Sequence, residues 1–157
     1  MATTGTYIAG QIYTASEANN TAPMCVLEAT TSVAANGVVI AFGAGSELTD
    51  KLNWHSTSSN TSRITPNIAG IYFVSASVQD YGDATRALTA VYKNGANLTY
   101  RIQQDISGAE TVDDMTIGGY IQCNGTTDYL EIYVLQQSAG AKSMPVQFAA
   151  QFIGPAT

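Results

Sequence analysis

Charged residues are scarce in this 157-residue sequence, and basic residues are the scarcest. Asp, Glu, Lys and Arg make up 11% of the chain, whereas about 25% is average for soluble proteins. Six basic residues stand against twelve acidic ones, giving a net charge of −6, and the basic residues never cluster. Nucleic-acid backbones and anionic lipids require a concentrated basic face. The sequence therefore predicts no nucleic-acid partner and no membrane partner.

Long apolar runs are absent as well. No segment approaches the ~18 consecutive apolar residues of a membrane-spanning helix. The first residues lack the basic start and the apolar stretch of a signal peptide. We therefore expect a soluble protein that is not exported by the general secretory route. At this length, with 45% hydrophobic residues, the chain can build one domain with its own core.

Cysteine and histidine are too few for a disulfide scaffold or a zinc centre. Cys25 and Cys123 lie far apart in apolar, strand-like sequence, so we interpret them as buried thiols, with a single bridge between them as the alternative. The lone histidine, His55, has no second histidine near it and indicates no Ser-His-Asp triad. We expect it to be a hydrogen-bonded structural residue.

Acidic residues do not form a recognisable metal-binding motif. The pairs Asp113-Asp114 and Asp80/Asp83 lie in oxygen-rich loops, but they lack the regular alternation of a calcium-binding loop. They are interpreted as solvated acidic loops. The sequence thus predicts a protein that is not an enzyme, with no catalytic residues, no cofactor and no metal.

Helical periodicity is nearly absent, and apolar residues instead recur at every second position in short runs. Gly, Asn, Asp, Pro and Ser separate these runs, which is typical of β-strands joined by turns. Nine such strands predict an all-β sandwich or barrel. The predicted strands are Met24 to Thr31, Gly37 to Phe42, Ser62 to Thr65, Gly70 to Gln79, Arg86 to Lys93, Leu98 to Gln104, Met115 to Cys123, Tyr129 to Gln136 and Val146 to Ile153.

Turn residues support this division. Asparagine followed by glycine accepts positive φ and favours tight hairpins, and the chain has three such dipeptides, at Asn36-Gly37, Asn94-Gly95 and Asn124-Gly125. Proline donates no backbone hydrogen bond, and the four prolines fall at predicted strand boundaries, at Pro23, Pro66, Pro145 and Pro155.

Several predicted strands carry apolar residues on both faces. In the strand that starts at Gly70, Tyr72 and Val74 point one way, while Ile71 and Phe73 point the other. A two-layer sandwich buries only one face of each sheet. A second apolar face is usually buried by self-association into an oligomer with closed symmetry. The alternative is that these side chains are tolerated at a wet surface.

Five segments, in order and spacing, resemble the trimeric jelly rolls of the tumour necrosis factor and complement globular-head superfamily. The resemblance extends from about Met24 to Gly154. The segments are Arg63-Ile64-Thr65-Pro66, Ala69-Gly70-Ile71-Tyr72-Phe73, Val91-Tyr92-Lys93-Asn94-Gly95, Tyr129-Leu130-Glu131-Ile132 and Phe148 to Ile153.

This resemblance implies an antiparallel two-sheet jelly-roll sandwich that forms a homotrimer, with one sheet packed around the threefold axis and tyrosines near that axis. Members of the superfamily are binding modules and not enzymes. By position, the residues implied at the trimer interface are Tyr72, Tyr120, Phe148, Ala150 and Phe152.

A second resemblance covers the N-terminal segment Tyr7-Ile8-Ala9-Gly10-Gln11-Ile12-Tyr13-Thr14-Ala15-Ser16-Glu17-Ala18-Asn19. It is similar to a segment that opens many tailed-phage structural proteins. Thr14 followed three positions later by Glu17 is a capping-box pattern, which predicts a one- or two-turn helix from Ala15 to Asn19. Because a helix this short is unstable alone, residues 1–23 are predicted to be a short docking arm that becomes ordered on its partner. A frayed terminus without a role is the alternative. The predicted capsid-docking residues are Tyr7, Ile8, Gln11, Ile12 and Tyr13.

Together these patterns predict a virion structural protein. Residues 24–157 would form a homotrimeric jelly-roll knob that decorates or cements a capsid, or heads a short fibre. The protein would be made in the host cytoplasm and would bind the major capsid protein or another virion protein at the virion surface. The alternative is an adhesin of the same fold that binds a host receptor or glycan through its loops. The candidate ligand loop, otherwise a plain solvated loop, comprises Ser56, Thr57, Ser58, Ser59 and Asn60.

Overall fold

A computed structural model describes residues 23–97, 102–108 and 112–156 of the chain. Within these ranges the protein forms ten β-strands and no helix, which confirms the predicted all-β class. It follows that no described segment is a helix that could span a membrane. The strands are β1 (Met24–Val33), β2 (Val38–Val39), β3 (Glu47–Asp50), β4 (Ala69–Val78), β5 (Arg86–Lys93), β6 (Ala96–Asn97), β7 (Gln103–Ser107), β8 (Met115–Asn124), β9 (Leu130–Gln136) and β10 (Lys142–Gly154).

The strands form two antiparallel sheets. Sheet A has the order β3-β1-β10-β4-β8, and sheet B has the order β2-β9-β5-β6, with β7 also paired to β5. The chain crosses repeatedly from one sheet to the other, so most neighbours in a sheet are distant in sequence. In the middle of sheet A, Ala150 of β10 lies opposite Cys25 of β1 on one side and Val74 of β4 on the other.

The core lies between the sheets and is filled by every second residue of the long strands. In β4 the inward residues Tyr72 and Val74 are fully buried, as is Ile132 of β9 in the facing sheet. Trp54 closes the core beside Tyr72, with ring centroids 5.3 Å apart. Its indole nitrogen donates to the Asn67 side-chain oxygen at 2.8 Å. Each large side chain buried in this way contributes about 1.5–3 kcal/mol to folding.

Period-two alternation predicts the long strands accurately and the short ones poorly. Strand β5 has the predicted bounds, β4 differs from the prediction by one residue at each end, and β8 differs by one residue at its C-terminal end. Strand β3 is missing from the predicted set, because this edge strand exposes Glu47 and Leu48 and shows no apolar alternation. The predicted strand from Ser62 to Thr65 is only an isolated bridge between Ile64 and Leu130.

Two of the three Asn-Gly dipeptides that were predicted to close hairpins instead connect strands of different sheets. Asn94-Gly95 closes the β5–β6 hairpin with φ values of 56° and 73°, as predicted. Asn36-Gly37 leads from sheet A into sheet B, and so does Asn124-Gly125. The turn chemistry is therefore correct at all three places, but local sequence does not encode which sheet the next strand joins.

Pro145 lies within β10 and not at a strand boundary. It pairs with Thr30 of β1, and its carbonyl accepts a hydrogen bond from the Gln79 nitrogen at 3.0 Å. The missing N–H is tolerated because β4, the neighbour on that side, ends at Val78.

Candidate functional site

The outer face of sheet A carries an exposed aromatic pair. Phe73 of β4 and Tyr120 of β8 are direct partners in the antiparallel register, and their rings meet edge to face with centroids 5.4 Å apart. Phe73 is 37% exposed and Tyr120 is 69% exposed. The Phe73 ring lies over Gly118, where a Cβ would come within 3.0 Å of it. Glycine at position 118 thus lets the ring lie against the sheet.

Two isoleucines extend this aromatic pair towards the end of β10. Ile71 is half-buried on the same face of β4. It pairs with Gly154, and the preceding residue Ile153, 53% exposed, lies in the register irregularity between Phe152 and Gly154. We call Ile71, Phe73, Tyr120 and Ile153 the apolar patch.

The strands that carry the apolar patch are almost free of charge. β4 and β8 contain no Asp, Glu, Lys or Arg, and β10 contains only Lys142, its first residue. That lysine is paired with Asp83 in the loop after β4. Depletion of charge with retention of aromatic residues is typical of the centre of a protein–protein interface. The outer face of β4 and β8 therefore resembles the centre of a protein–protein interface in composition.

Only part of the predicted trimer interface lies on this face. Tyr120 lies on it, whereas Tyr72, Phe148 and Ala150 are fully buried in the core of one subunit. The prediction that these three residues contact another copy is therefore wrong. Phe152 is half-buried and packs against Tyr72, with ring centroids 5.4 Å apart.

Successive side chains of a strand point to opposite faces, and the prediction chose the face that points into the core. The face of β4 with more apolar residues packs against the other sheet. The outward face contains Phe73, which the sequence analysis did not assign to the interface. Tyr72 is a core residue whose hydroxyl donates to the Ile68 carbonyl at 2.6 Å. Burial raises the pKa of this phenol well above its usual value. The pairing of Phe73 with the exposed Tyr120 is visible only once the register is known.

The candidate ligand loop is exposed and internally bonded. Thr57, Ser58, Ser59 and Asn60 are exposed, while Ser56 is half-buried. The Ser59 backbone nitrogen donates to the Ser56 hydroxyl at 3.2 Å. This hydrogen bond holds the loop in a compact turn.

His55 holds the base of this loop. Its Nδ1 lies 2.9 Å from the Arg63 carbonyl oxygen, and its Nε2 lies 2.9 Å from the Phe42 carbonyl oxygen. Its backbone nitrogen donates to the Asp50 carboxylate at 2.8 Å. These contacts confirm the predicted structural histidine. Both ring nitrogens therefore lie within hydrogen-bond distance of backbone carbonyl oxygens.

A charged and aromatic cluster beside the loop is absent from the sequence-based predictions. The Arg63 guanidinium lies 3.8 Å above the centre of the Tyr129 ring, and its Nε lies 3.4 Å from Glu131 Oε1. The same carboxylate oxygen accepts a hydrogen bond from the Ser62 hydroxyl at 2.7 Å. Sequence offers no signal for this cluster, because Ser62 and Glu131 are 69 residues apart in the chain.

Comparison with known proteins supports the fold directly. At the level of sequence, no protein-family model and no curated protein matches the chain. The globular domain of the zebrafish complement 1qA protein superposes with a TM-score of 0.57 at 12% identity, covering 85% of this chain and 99% of that one. The PRD1 vertex protein P5 superposes with a TM-score of 0.58 at 18% identity, covering 83% and 96%. The fold is a jelly roll of the complement globular-head type. The predicted resemblance is thus confirmed at the level of fold.

Both cysteines of the jelly roll are buried. Cys25 on β1 and Cys123 on β8 are free and buried, which confirms the prediction of buried thiols, and two strands separate β1 from β8 in sheet A. Burial raises the pKa of Cys123 to about 11 and that of Cys25 further. Both thiols therefore stay protonated at neutral pH. Among the residues that the structure describes, no three His, Cys, Asp or Glu side chains form a group that could hold a metal ion.

The predicted docking arm precedes β1 in the chain. Residues 1–22, including Tyr7, Ile8, Gln11, Ile12 and Tyr13, lie outside the described residues. The arm leads into β1 at Pro23, whose carbonyl accepts a hydrogen bond from the Phe152 nitrogen at 2.9 Å. The chain therefore enters the jelly roll at the end of sheet A where Ile153 is exposed.

Proposed function

We propose that this protein is a virion structural protein that works as a homotrimeric knob, either decorating and cementing a phage capsid or heading a short fibre. The outer face of β4 and β8, which has no charged residue and exposes Phe73 and Tyr120, is the observation that carries the proposal. Exposed apolar patches on soluble proteins commonly mark interaction sites. The function is mechanical, and it needs no catalytic group.

Closure around a threefold axis would cover the apolar patch of every subunit at once. Tyr120 and Ile153 are more than half exposed in the single subunit. Burying one large apolar side chain contributes about 1.5–3 kcal/mol, so a few such residues in each subunit stabilise an assembly. A cyclic arrangement repeats the same contact in every subunit and leaves no apolar face open.

Attachment to a virion is supported by two features. The PRD1 vertex protein P5, a virion protein by its name, shares the fold. The N-terminal segment is similar to those of tailed-phage structural proteins and leads into β1 beside the apolar patch. We assign residues 1–23 to docking on the major capsid protein or another virion protein, with the knob displayed at the virion surface.

Oligomeric state tests the assembly. We expect Tyr120→Asp to convert the protein from three times the subunit mass of 16.5 kDa to monomers or aggregates, because a carboxylate would be buried without a partner. Val38→Asp is the control, since it introduces the same carboxylate at an exposed apolar residue of sheet B, away from the proposed interface. The masses are measured by light scattering after size-exclusion chromatography. A monomeric wild type, or a trimeric Tyr120→Asp variant, would reject this interface.

A receptor- or glycan-binding adhesin is the second candidate, and the exposed loop from Ser56 to Asn60 favours it. This loop is held at its base by His55 and stands beside the Arg63–Tyr129 pair. Deleting residues 1–20 separates the two functions. A decoration protein loses binding to virions and remains trimeric, whereas an adhesin still binds host cells or sugars. In the adhesin, changing Thr57 and Ser59 to alanine would abolish that binding.

A further inference from the structure

Asn-Gly dipeptides favour turns, and they are also prone to spontaneous deamidation. The glycine nitrogen can attack the asparagine side-chain carbonyl carbon, because glycine has no side chain to obstruct the approach. This chain has three such dipeptides, at Asn36, Asn94 and Asn124. Since sequence makes them equivalent, any difference in reactivity must come from how the fold holds each carboxamide.

The Asn94 carboxamide is held at both ends. Its Nδ2 donates to Asp128 Oδ1 at 2.8 Å, and its Oδ1 accepts the Tyr129 backbone N–H at 3.0 Å. Both bonds must break before the carbonyl carbon can turn towards Gly95. The adjacent carboxylate of Asp128 also opposes the negative charge that develops on the attacking nitrogen.

The Asn124 carboxamide is held more firmly still. Its Oδ1 accepts three backbone N–H groups, from Thr126, Thr127 and Asp128, each at 3.0 Å. Its Nδ2 donates to the Thr127 hydroxyl at 2.8 Å. This side chain closes the crossover from β8 to β9 and cannot leave without opening it.

The Asn36 side chain is exposed, and no residue in the described ranges forms a hydrogen bond with its carboxamide. Its backbone carbonyl accepts only a long bond from the Tyr133 hydroxyl, at 3.4 Å. The attacking atom, Gly37 N, donates to the Ala34 carbonyl at 3.2 Å, at the weak end of the usual range. The carboxamide is therefore free to rotate onto the glycine nitrogen.

We propose that Asn36 is a site of spontaneous deamidation in the folded protein, and that Asn94 and Asn124 are protected. A base removes the Gly37 N–H proton, and the nitrogen forms a bond to Asn36 Cγ. The Cγ–Nδ2 bond breaks, and the amide nitrogen leaves as ammonia after taking up a proton. Water then opens the succinimide ring at either carbonyl, giving aspartate or isoaspartate at position 36.

The product changes the surface of sheet B. Each event adds one negative charge to a chain whose net charge is −6. Isoaspartate also lengthens the backbone in the crossover between the sheets. Gly37 lies against Tyr133 so closely that a Cβ at this position would overlap the tyrosine hydroxyl. The lengthened isoaspartyl backbone would therefore lie directly against Tyr133, whose ring stacks on Tyr92 with centroids 5.1 Å apart.

Peptide mapping by mass spectrometry tests this inference directly. The intact protein is incubated at pH 8 and 37 °C, with samples taken over time, and a parallel sample is kept in urea. In the folded protein we expect Asn36 to convert at least about tenfold faster than Asn94 or Asn124, since each of these must break two or more hydrogen bonds. In urea all three should convert at similar rates.

The urea sample supplies the internal control, and Asn36→Gln supplies the matched variant. A glutamine at position 36 would have to form a less favourable six-membered ring, so the acidic species should no longer appear on anion exchange. Conversion of Asn94 or Asn124 as fast as Asn36 in the folded protein would overturn the inference. Persistence of intact Asn36 in the folded protein, with conversion only in urea, would also overturn it.

Discussion

Asp128 joins the two turns at one end of the jelly roll, and its removal gives the sharpest test of the stability reasoning. Its Oδ2 lies 2.8 Å from Lys93 Nζ and accepts the Asn124 backbone N–H at 2.8 Å. Its Oδ1 accepts the Asn94 side-chain N–H at 2.8 Å. The carboxylate therefore binds the β5–β6 hairpin to the β8–β9 crossover from a site that is 7% exposed.

Replacing Asp128 with asparagine keeps the volume and removes the charge. One side-chain oxygen remains as an acceptor, so at most part of the network survives, and Lys93 is left without its counterion. Hydrogen bonds to charged groups contribute about 1.5–3 kcal/mol each, and breaking a buried pair costs about 3–5 kcal/mol. Because the Lys93 side chain is 24% exposed and regains some hydration, we expect Asp128→Asn to lower the free energy of unfolding by about 3 kcal/mol.

Asp105→Asn is the control, because it breaks an ion pair of equally short geometry at the surface. Asp105 accepts from Arg86 at 3.0 and 2.8 Å, but these side chains are 35% and 41% exposed. Exposed pairs of this kind contribute about 0–1 kcal/mol. The contrast between the two variants isolates burial as the cause.

Urea denaturation followed by fluorescence of the single tryptophan measures both changes, since Trp54 is buried and reports the core. Protein concentration is held constant, because assembly shifts apparent stability. A loss below about 1 kcal/mol for Asp128→Asn, or an equal loss for Asp105→Asn, would refute the reasoning.

The same carboxylate predicts a pH dependence. Burial opposes ionisation of Asp128, but hydrogen bonds from Lys93, Asn94 and Asn124 outweigh it, so its pKa is lowered from the ordinary value. A lowered pKa in the folded state adds stability that is complete above the unfolded-state pKa and is lost as the pH falls through the folded-state pKa. The difference between wild type and Asp128→Asn should therefore be full at pH 7 and shrink below about pH 4. A constant difference down to pH 2 would contradict this assignment.

Two further predictions concern the backbone and the thiols. Gly125→Ala should lower the free energy of unfolding by at least about 2 kcal/mol, because Gly125 has a φ of 74° and a Cβ would overlap the Ala69 nitrogen. Gly140→Ala, where a Cβ would meet nothing within 4 Å, should change it little, and equal effects in urea denaturation would argue against the steric explanation. Cys25 and Cys123 should resist a thiol reagent at pH 8 until the protein is unfolded, because burial raises the pKa of both. Rapid labelling of the native protein, followed by absorbance, would show that these thiols are accessible.

Only some features of the candidate site could be predicted from the sequence. The absence of charge from β4 and β8 is visible in the sequence, and so are their aromatic residues. The hydroxyl-rich loop is equally visible, because Ser56 to Asn60 are contiguous. The Arg63–Tyr129–Glu131 cluster and the Asp128 network are not, since their members come from separate turns and strands that meet only after the sheets form.

Sequence alone determined the all-β class, the long strands and the positive-φ turns at the Asn-Gly dipeptides, because alternation and turn chemistry depend on neighbouring residues. Only the tertiary structure decided that Tyr72 faces the core and Phe73 faces outward. It also decided that Asn94 and Asn124 are held while Asn36 is free. A period of two defines two faces without saying which one another sheet covers, and that choice rests on contacts between residues far apart in the chain.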